Sequence, residues 1–452
     1  MKVQIISASP RLNSGFSVVA INVAKGLKKL GHEISFVGLQ TSNTNEWSHG
    51  IEILPAQNFH IDDITQTMHT IGRIKPDVVL AIIQMDSDFN DFAKIFPKTV
   101  CYTPVEGRNI PLRMANDLLG IKTNGGEVVS QCKYGQMEMQ LALAGIDVRC
   151  IYHGYDPGIF KPLDFRNIGN IRYCFYRTDI GKVSSDPGTL CKQGCFSCNL
   201  NNKGQVECSY YKEEHVSILK FINGKWGEDS IPITRLPEIT KGKLVYGFVG
   251  QNLGVRKRIE RLLKAYSIFI KDSRQFKDRT ILHLHTMPIA INGANLIGII
   301  QNLGIQDNVI FSYGSYRSSG WTDESMSILY NTFDINISAS SSEGFCLPVL
   351  EGFASGIPMI APNCSSFTEL IGNDKDDSNN RGLLASIGEW QMIENGSERA
   401  LVNENHLALM MKKLYTDEKL RERFSKNAIK FASQYTWEKV CVQWDDLLKK
   451  IK

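Results

Sequence analysis

The stretch KVQIISASPRLNSGFSVVAINVAKGLKKLGHEISFVG, residues 2–38, decides the fold class. Lys2 to Ala8 is an apolar run of strand length, and Phe16 to Leu30 sets Val19, Val23, Leu27 and Leu30 on one face of a helix. Gly31 stops that helix, and Glu33 to Gly38 is a second strand. A strand, a glycine-containing turn, a helix and a strand, in that order, form the unit from which parallel α/β sheets are built. The rhythm continues with strands at Asp77 to Gln84, Thr99 to Tyr102, Glu127 to Ser130 and Val148 to Tyr152, with a helix at Tyr134 to Ala144. This first unit closes near Pro162.

The same grammar restarts at Lys243. Leu244 to Gly250, Thr280 to His285, Val309 to Tyr313, Asp334 to Ser338, Pro358 to Ala361 and Gly382 to Leu384 read as strands, with helices at Arg258 to Ile270, Asn295 to Leu303, Asp323 to Asn331 and Leu347 to Ala354. Glu404 to Tyr415, Glu418 to Gln434 and Trp437 to Ile451 read as amphipathic helices that close the chain. Residues 164–240 break the rhythm and are rich in Cys, Gly, Lys and Asn, with a hairpin-like run from Val216 through Asn223-Gly224 to Trp226. The expected organisation is therefore two doubly wound, Rossmann-like domains at 1–163 and 241–434, a Cys-rich insert at 164–240, and a final helix at 435–452 that packs back on the first domain.

Composition narrows the function. A chain of 452 residues that is 42% hydrophobic has apolar surface for more than one core. Its 51 Lys and Arg nearly balance 47 Asp and Glu, so no general attraction to nucleic acid is expected and any anion site is local. Val3 to Ala8 is too short for a secretion signal, and no apolar run approaches a membrane span, which gives cytoplasmic localisation as the expectation. Eleven cysteines in such a chain favour metal binding or burial over disulfides.

Two segments carry chemistry. Ser340-Ser341-Ser342-Glu343-Gly344-Phe345-Cys346-Leu347-Pro348-Val349-Leu350-Glu351-Gly352 follows a strand and opens a helix near Pro348, a residue suited to a first helical turn. Gly344 allows backbone to approach a ligand, and the N–H groups of Phe345, Cys346 and Leu347 stand at a helix start that favours phosphate or sugar hydroxyls. Glu343 and Glu351, about two turns apart, offer carboxylates to separate hydroxyl pairs of one extended ligand. Each also has a plain reading, Glu343 as a first-turn acid and Glu351 as a solvated side chain. The second segment, Gly250-Gln251-Asn252-Leu253-Gly254-Val255-Arg256-Lys257, leaves a strand at the end where ligands of open sheets gather. Arg256 offers a forked donor and Lys257 a mobile point charge to a diphosphate, or the pair is a solvated face.

These residues resemble the retaining GT-B glycosyltransferases of family 4. Glu343 and Glu351 match that family's pair of Glu residues separated by seven positions, and Ser341 to Pro358 matches its surroundings almost residue for residue. Val249-Gly250, Arg256-Lys257, Asp334 to Ser338, His153-Gly154-Tyr155-Asp156 and Phe160-Lys161-Pro162 extend the resemblance over both α/β halves and the last helix, but not over the insert.

The resemblance implies a GT-B fold, in which two Rossmann-like domains face a cleft, and transfer of a hexose from a nucleotide-diphosphate sugar with retention of configuration. It assigns Glu351 to the ribose, Glu343 to the transferred sugar, Arg256 and Lys257 to the diphosphate, and the backbone of Gly344 to Leu347 to sugar and phosphate. It implies no catalytic metal, since basic groups and helix N-termini stabilise the leaving diphosphate. Gln251 stands where relatives carry Arg, which makes a catalytically weak sugar-nucleotide binding or regulatory protein the alternative.

In the first half, Gly15 lies in the loop Ser9 to Ser17, where relatives place a glycine loop facing donor phosphates and acceptor. Glu106 and Arg108, in Tyr102 to Arg108 after a strand, are acceptor-side candidates, although relatives carry a histidine in this loop. His153 is read as fixing the loop that leaves the first domain rather than as a general base. The acceptor class, whether glycan, lipid or protein, is not encoded in any motif. Finally, Cys191, Cys195, Cys198 and Cys208 fall within eighteen residues, a spacing that fits a structural zinc site or, alternatively, free or partly buried thiols.

Overall fold

The structure, a computed structural model, describes residues 1–12, 14–39, 46–56, 75–84, 96, 98–163, 198–200, 206–208, 215–312, 321–375 and 377–451. The opening stretch folds as read: β1 (Lys2–Ala8), α1 (Gly15–Lys29) and β2 (Glu33–Leu39), with Ser14 capping the helix by accepting from the Ser17 N–H. To these the first domain adds β3 (Glu46–Ser48), β4 (Ile51–Ala56), β5 (Val78–Ile82), β6 (Thr99–Thr103), α2 (Leu112–Thr123), β7 (Glu127–Ser130), α3 (Lys133–Ala142) and β8 (Arg149–Cys150). The eight strands form one sheet in the order β3-β4-β2-β1-β5-β6-β7-β8, parallel except for the antiparallel β3 edge. Every residue of β5 and of β6 is buried, as expected of central strands covered on both faces.

Between the domains, β9 (Cys198–Leu200) and β10 (Val206–Cys208) form a separate antiparallel ladder. The hairpin expected within the insert is not part of it. β11 (His215–Ile222) and β12 (Lys225–Pro232) extend the second sheet, because β11 pairs antiparallel with β15 (Val309–Ser312) and buries Val216, Ile218 and Leu219. A strand whose inward side chains are apolar gains more by covering an open sheet edge than by standing alone.

The second domain continues with β13 (Leu244–Val249), α4 (Ile259–Asp272), β14 (Thr280–His285), α5 (Leu296–Leu303), β15, α6 (Asp323–Asn331), β16 (Ile335–Ile337), α7 (Leu347–Ala354), β17 (Met359–Pro362), α8 (Phe367–Ile371) and β18 (Gly382–Ala385). Its sheet runs β12-β11-β15-β14-β13-β16-β17-β18, with β15 through β18 and their intervening strands parallel. A second hairpin, β19 (Ile387–Met392) and β20 (Glu398–Val402), stands apart from both large sheets.

Three helices close the chain: α9 (Glu404–Thr416), α10 (Glu418–Ala432) and α11 (Trp437–Ile451). Helix α11 returns to the first domain, where Val440, Trp444, Leu447 and Leu448 share a core with Val3, Val19, Val23 and Leu27. His32 Nε2 and Asp445 Oδ1 meet at 2.8 Å beside that contact. Another core joins Tyr152, Tyr155 and Phe160 of the first domain to Phe345, Phe353 and Phe367 of the second. No helix among the described residues is long and apolar enough to cross a membrane.

Candidate functional site

Parallel strands deliver their following loops to one edge of a sheet, so the loops after β13 and β16 meet at the face turned to the first domain. They are locked reciprocally. The Ser341 N–H and hydroxyl both donate to the Arg256 carbonyl, at 2.8 and 3.0 Å, while Arg256 Nη1 donates to the Ser342 carbonyl at 3.0 Å. The Glu343 N–H donates to Ser365 Oγ at 3.0 Å, and Ser366 Oγ to the Phe345 carbonyl at 2.9 Å. The serine-rich run thus supplies short donors that hold a tightly turned loop.

Within this frame Glu343 receives Arg256 Nη1 on one carboxylate oxygen and Lys257 Nζ on the other, each at 2.6 Å. Arg256 also faces Glu106, Nε to Oε1 at 3.4 Å, so the first-domain loop joins the cluster. Glu343 is only 5% exposed. Burial pushes its carboxyl pKa up, but Arg256 and then Lys257 more than reverse this and hold it at about 2. A carboxyl depressed below its unfolded value stabilises the fold fully above that value and loses the contribution as pH falls through the folded pKa. The stability difference between wild type and Glu343→Gln should therefore be flat above pH 5, of order 3 kcal/mol, and shrink between about pH 4.5 and 2. Denaturant titrations at several pH values check this, and a difference that persists unchanged at low pH would contradict the pairing.

Glu351 lies about one turn into α7 and is 2% exposed, so it is not a solvated surface acid. Its Oε2 accepts from the buried Tyr330 hydroxyl at 2.9 Å, a partner that sequence reading missed. Before α7, Cys346 adopts φ 81°, a left-handed backbone that turns the chain sharply into the helix. Phe345 and Leu347 are buried, Phe345 among residues of both domains and Leu347 in the first domain's core. Gly344 sits against the first domain, where a Cβ would come within 2.3 Å of Pro104 Cβ, so only glycine permits that approach. Gln251 is exposed at the mouth of its loop, and Gly15 is exposed at the start of α1 with open space where a Cβ would stand.

Glu106 and Arg108, the acceptor-side candidates, each hold an ion pair. Arg399 Nη2 lies 3.3 Å from Glu106 Oε2, and Arg108 Nε donates to Glu398 Oε2 at 2.7 Å. Both partners lie on β20, which sequence reading also missed, although Asn395-Gly396 between two alternating runs is a hairpin signal and Gly396 has φ 86°.

His153 is buried, and burial lowers its pKa to about 3, so it holds no second proton near neutrality. The Tyr102 hydroxyl donates to the Ile151 carbonyl at 2.7 Å, which leaves His153 Nδ1, 2.8 Å away, as donor to the phenol oxygen. In β14, His283 Nε2 and His285 Nδ1 share Ser312 Oγ at 3.0 and 2.8 Å, a buried polar cluster that no motif announced.

Of the cysteine quartet, Cys191 and Cys195 lie outside the described residues. The β9–β10 ladder sets Cys198 opposite Cys208. Among the described residues no cluster of His, Cys, Asp or Glu is arranged to hold a metal.

Comparison with known proteins matches residues 235–431 to the family described as glycosyl transferases group 1. The chain is 24% identical over 223 residues to O-antigen chain mannosyltransferase B of Escherichia coli, covering 47% of this chain and 48% of that protein. It is 36% identical over 76 residues to the MMP alpha-(1->4)-mannosyltransferase of Mycolicibacterium hassiacum, 17% of each chain. The chain thus matches about half or less of the length of these relatives. In fold it is similar to sucrose-phosphate synthase from Thermosynechococcus elongatus, with TM-score 0.64, 13% identity and coverage of 100% and 99%. It is likewise similar to Anabaena HepE in complex with UDP-glucose, with TM-score 0.63, 14% identity and full coverage of both chains. The two parallel-sheet α/β domains thus share the fold of these glycosyltransferase structures, and residues 235–431, most of the second domain, match the group 1 glycosyltransferases.

Proposed function

We propose that the protein moves a hexosyl group from a nucleotide-diphosphate sugar to a hydroxyl acceptor, with retention and without a catalytic metal. The observation that carries this reading is Glu343 held at 2.6 Å by both Arg256 and Lys257 at the mouth of α7, with Glu351 buried further along the same helix. Three cations, Arg256, Lys257 and Arg399, surround two carboxylates, Glu343 and Glu106. When a diphosphate takes over the basic groups, Glu343 is released to accept from sugar hydroxyls. Arg256, Lys257 and the α7 N-terminus then stabilise the charge that builds on the departing diphosphate.

Glu351 is assigned to the ribose, with Tyr330 orienting its carboxylate. The backbone from Gly344 to Leu347 and the open edge at Gly15 are assigned to donor sugar and phosphates, and Gln251 to a neutral contact beside them. The names of the two curated relatives favour mannose as the sugar. Glu351→Gln keeps the size of the side chain and removes its charge, and should lower donor turnover about 100-fold with the fold intact. Release of nucleoside diphosphate from GDP-mannose and UDP-glucose measures it; wild-type turnover in the variant would sink the assignment.

A second reading, a sugar-nucleotide binding protein without turnover, draws on the exposed, uncharged Gln251. Binding of either nucleotide sugar by the wild type without any release of diphosphate would establish that reading instead.

In the insert, we assign structural zinc to Cys191, Cys195, Cys198 and Cys208. The ladder pairs Cys198 with Cys208 in register, and the spacing of Cys191 and Cys195 just before it brings the number of thiols to the four that a tetrahedral site takes. Metal analysis of purified protein should find stoichiometric zinc that is lost in Cys198→Ser; protein free of zinc removes the assignment.

A further inference from the structure

Three consecutive residues of β20 touch both sides of the cleft, two of them the same first-domain loop and the third the serine-rich loop of the second domain. Glu398 exchanges both backbone hydrogen bonds with Arg108, each at 3.0 Å, and its carboxylate takes Arg108 Nε at 2.7 Å and Asn109 Nδ2 at 2.8 Å. Arg399 donates from Nε to the Glu106 carbonyl at 3.2 Å and faces its carboxylate at 3.3 Å. The Ala400 N–H donates to the Ser341 carbonyl at 3.0 Å, and Ser341 in turn holds the Arg256 carbonyl. The same Glu106 carboxylate that meets Arg399 meets Arg256 at 3.4 Å.

The first-domain loop is shaped for this contact. Gly107 has φ 149°, and a Cβ there would come within 2.7 Å of the Glu398 carbonyl oxygen, so the two backbones approach as closely as glycine alone allows. The Arg108 guanidinium lies over the Trp390 ring of β19, 3.9 Å from its centroid, which adds a face contact to the ion pair.

We propose that Glu398 and Arg399 are positioning residues, and that β20 is a strut coupling closure of the cleft to the placement of Arg256. The inference rests on the reading of Arg256 as a diphosphate ligand. When the first-domain loop is docked, Glu106 is fixed between two arginines, so Arg256 is held from Glu106 on one side and Glu343 on the other. When it is undocked, Arg256 loses the first of these and the donor side is incomplete. Neither Glu398 nor Arg399 needs to touch the substrate for this.

A charge swap tests it. Arg108→Glu and Glu398→Arg each place like charges together, and the double variant restores an opposite pair. In each single variant, amide hydrogen exchange in peptides spanning 104–110 and 396–402 should rise by about tenfold, and in the double variant it should return toward wild type. UDP or GDP affinity, by calorimetry, should fall in the singles and recover with the pair, whereas a merely local effect would leave it unmoved. Trp390→Leu removes only the ring beneath Arg108, leaves every charge in place, and should shift both readouts in the same direction by a smaller amount. Unchanged exchange in the singles overturns the strut; raised exchange with unchanged nucleotide affinity overturns its link to Arg256. If the wild type binds neither nucleotide, the donor reading fails, and the exchange data alone decide whether the strut exists.

Discussion

Glu343→Gln should bind nucleoside diphosphate more tightly than wild type while losing transfer. Glu343 engages both basic groups, Arg256 and Lys257, at hydrogen-bonding distance, and its depressed pKa keeps it ionised through the whole neutral range. An incoming diphosphate must displace a buried carboxylate and then remain near it. Charges about 4 Å apart near a protein surface interact by roughly 4 kcal/mol before compensation, so relieving part of that repulsion is worth about tenfold in affinity. Transfer goes the other way. A neutral amide is a poorer acceptor for sugar hydroxyls and cannot balance positive charge developing on the sugar, so turnover should fall about 100- to 1,000-fold.

Lys257→Ala separates the two effects, since it removes a cation rather than the competing anion. Both affinity and turnover should fall, each by tenfold or more. Calorimetric titration with UDP and GDP, alongside single-turnover release of diphosphate, reads all of these outcomes. Equal turnover in Glu343→Gln and wild type would remove Glu343 from the chemistry, and weaker diphosphate binding in that variant would show that it is not the competitor for Arg256 and Lys257.

Much of this site could be read from the sequence because its parts follow local rules. Periodicity located β1, α1 and β2, and the parallel strands of the second domain, to within a few residues. The loops after β13 and β16 had to lie at one sheet edge, which brought Arg256 and Lys257 to Glu343 across more than eighty positions. What stayed hidden depended on long-range pairing. The hairpin β11–β12 showed its turn at Asn223-Gly224 but not its partner, because pairing with β15 is decided by an open sheet edge elsewhere in the chain. Arg108 and Glu106 read as acceptor-side candidates of a cleft loop, and the unread strand β20 supplies Glu398 to the first and Arg399, beside Arg256, to the second. Tyr330 is apolar in most of its surface and sits on the inward face of α6, so nothing local distinguishes it from a core residue that happens to carry a hydroxyl.

Trp444→Ala should be the most destabilising single substitution in α11 and should also reach the donor loop. Trp444 is fully buried in the core that α11 shares with β1 and α1, and among the described residues its indole Nε1 has no hydrogen-bond partner, so packing dominates its contribution. Truncation of a large buried aromatic costs about 3–5 kcal/mol, the loss of packing outweighing relief of one unpaired polar atom. The cavity would open beside Tyr102, whose ring stands edge-on to Trp444 with centroids 4.9 Å apart. Tyr102 holds His153 through its hydroxyl, and the His153 ring lies 4.5 Å from the Phe345 ring in the loop that carries Glu343. A line of four rings therefore runs from the last helix to the donor loop, and it crosses from one domain to the other. Val442→Ala, at an exposed position of the same helix, should change stability by less than about 0.5 kcal/mol and is the control. Denaturant unfolding compares the two, and nucleotide affinity measured well below the unfolding transition decides the rest. A several-fold loss in Trp444→Ala but not in Val442→Ala means that the rings transmit packing to the site, whereas wild-type affinity in both would confine α11 to holding the first domain together.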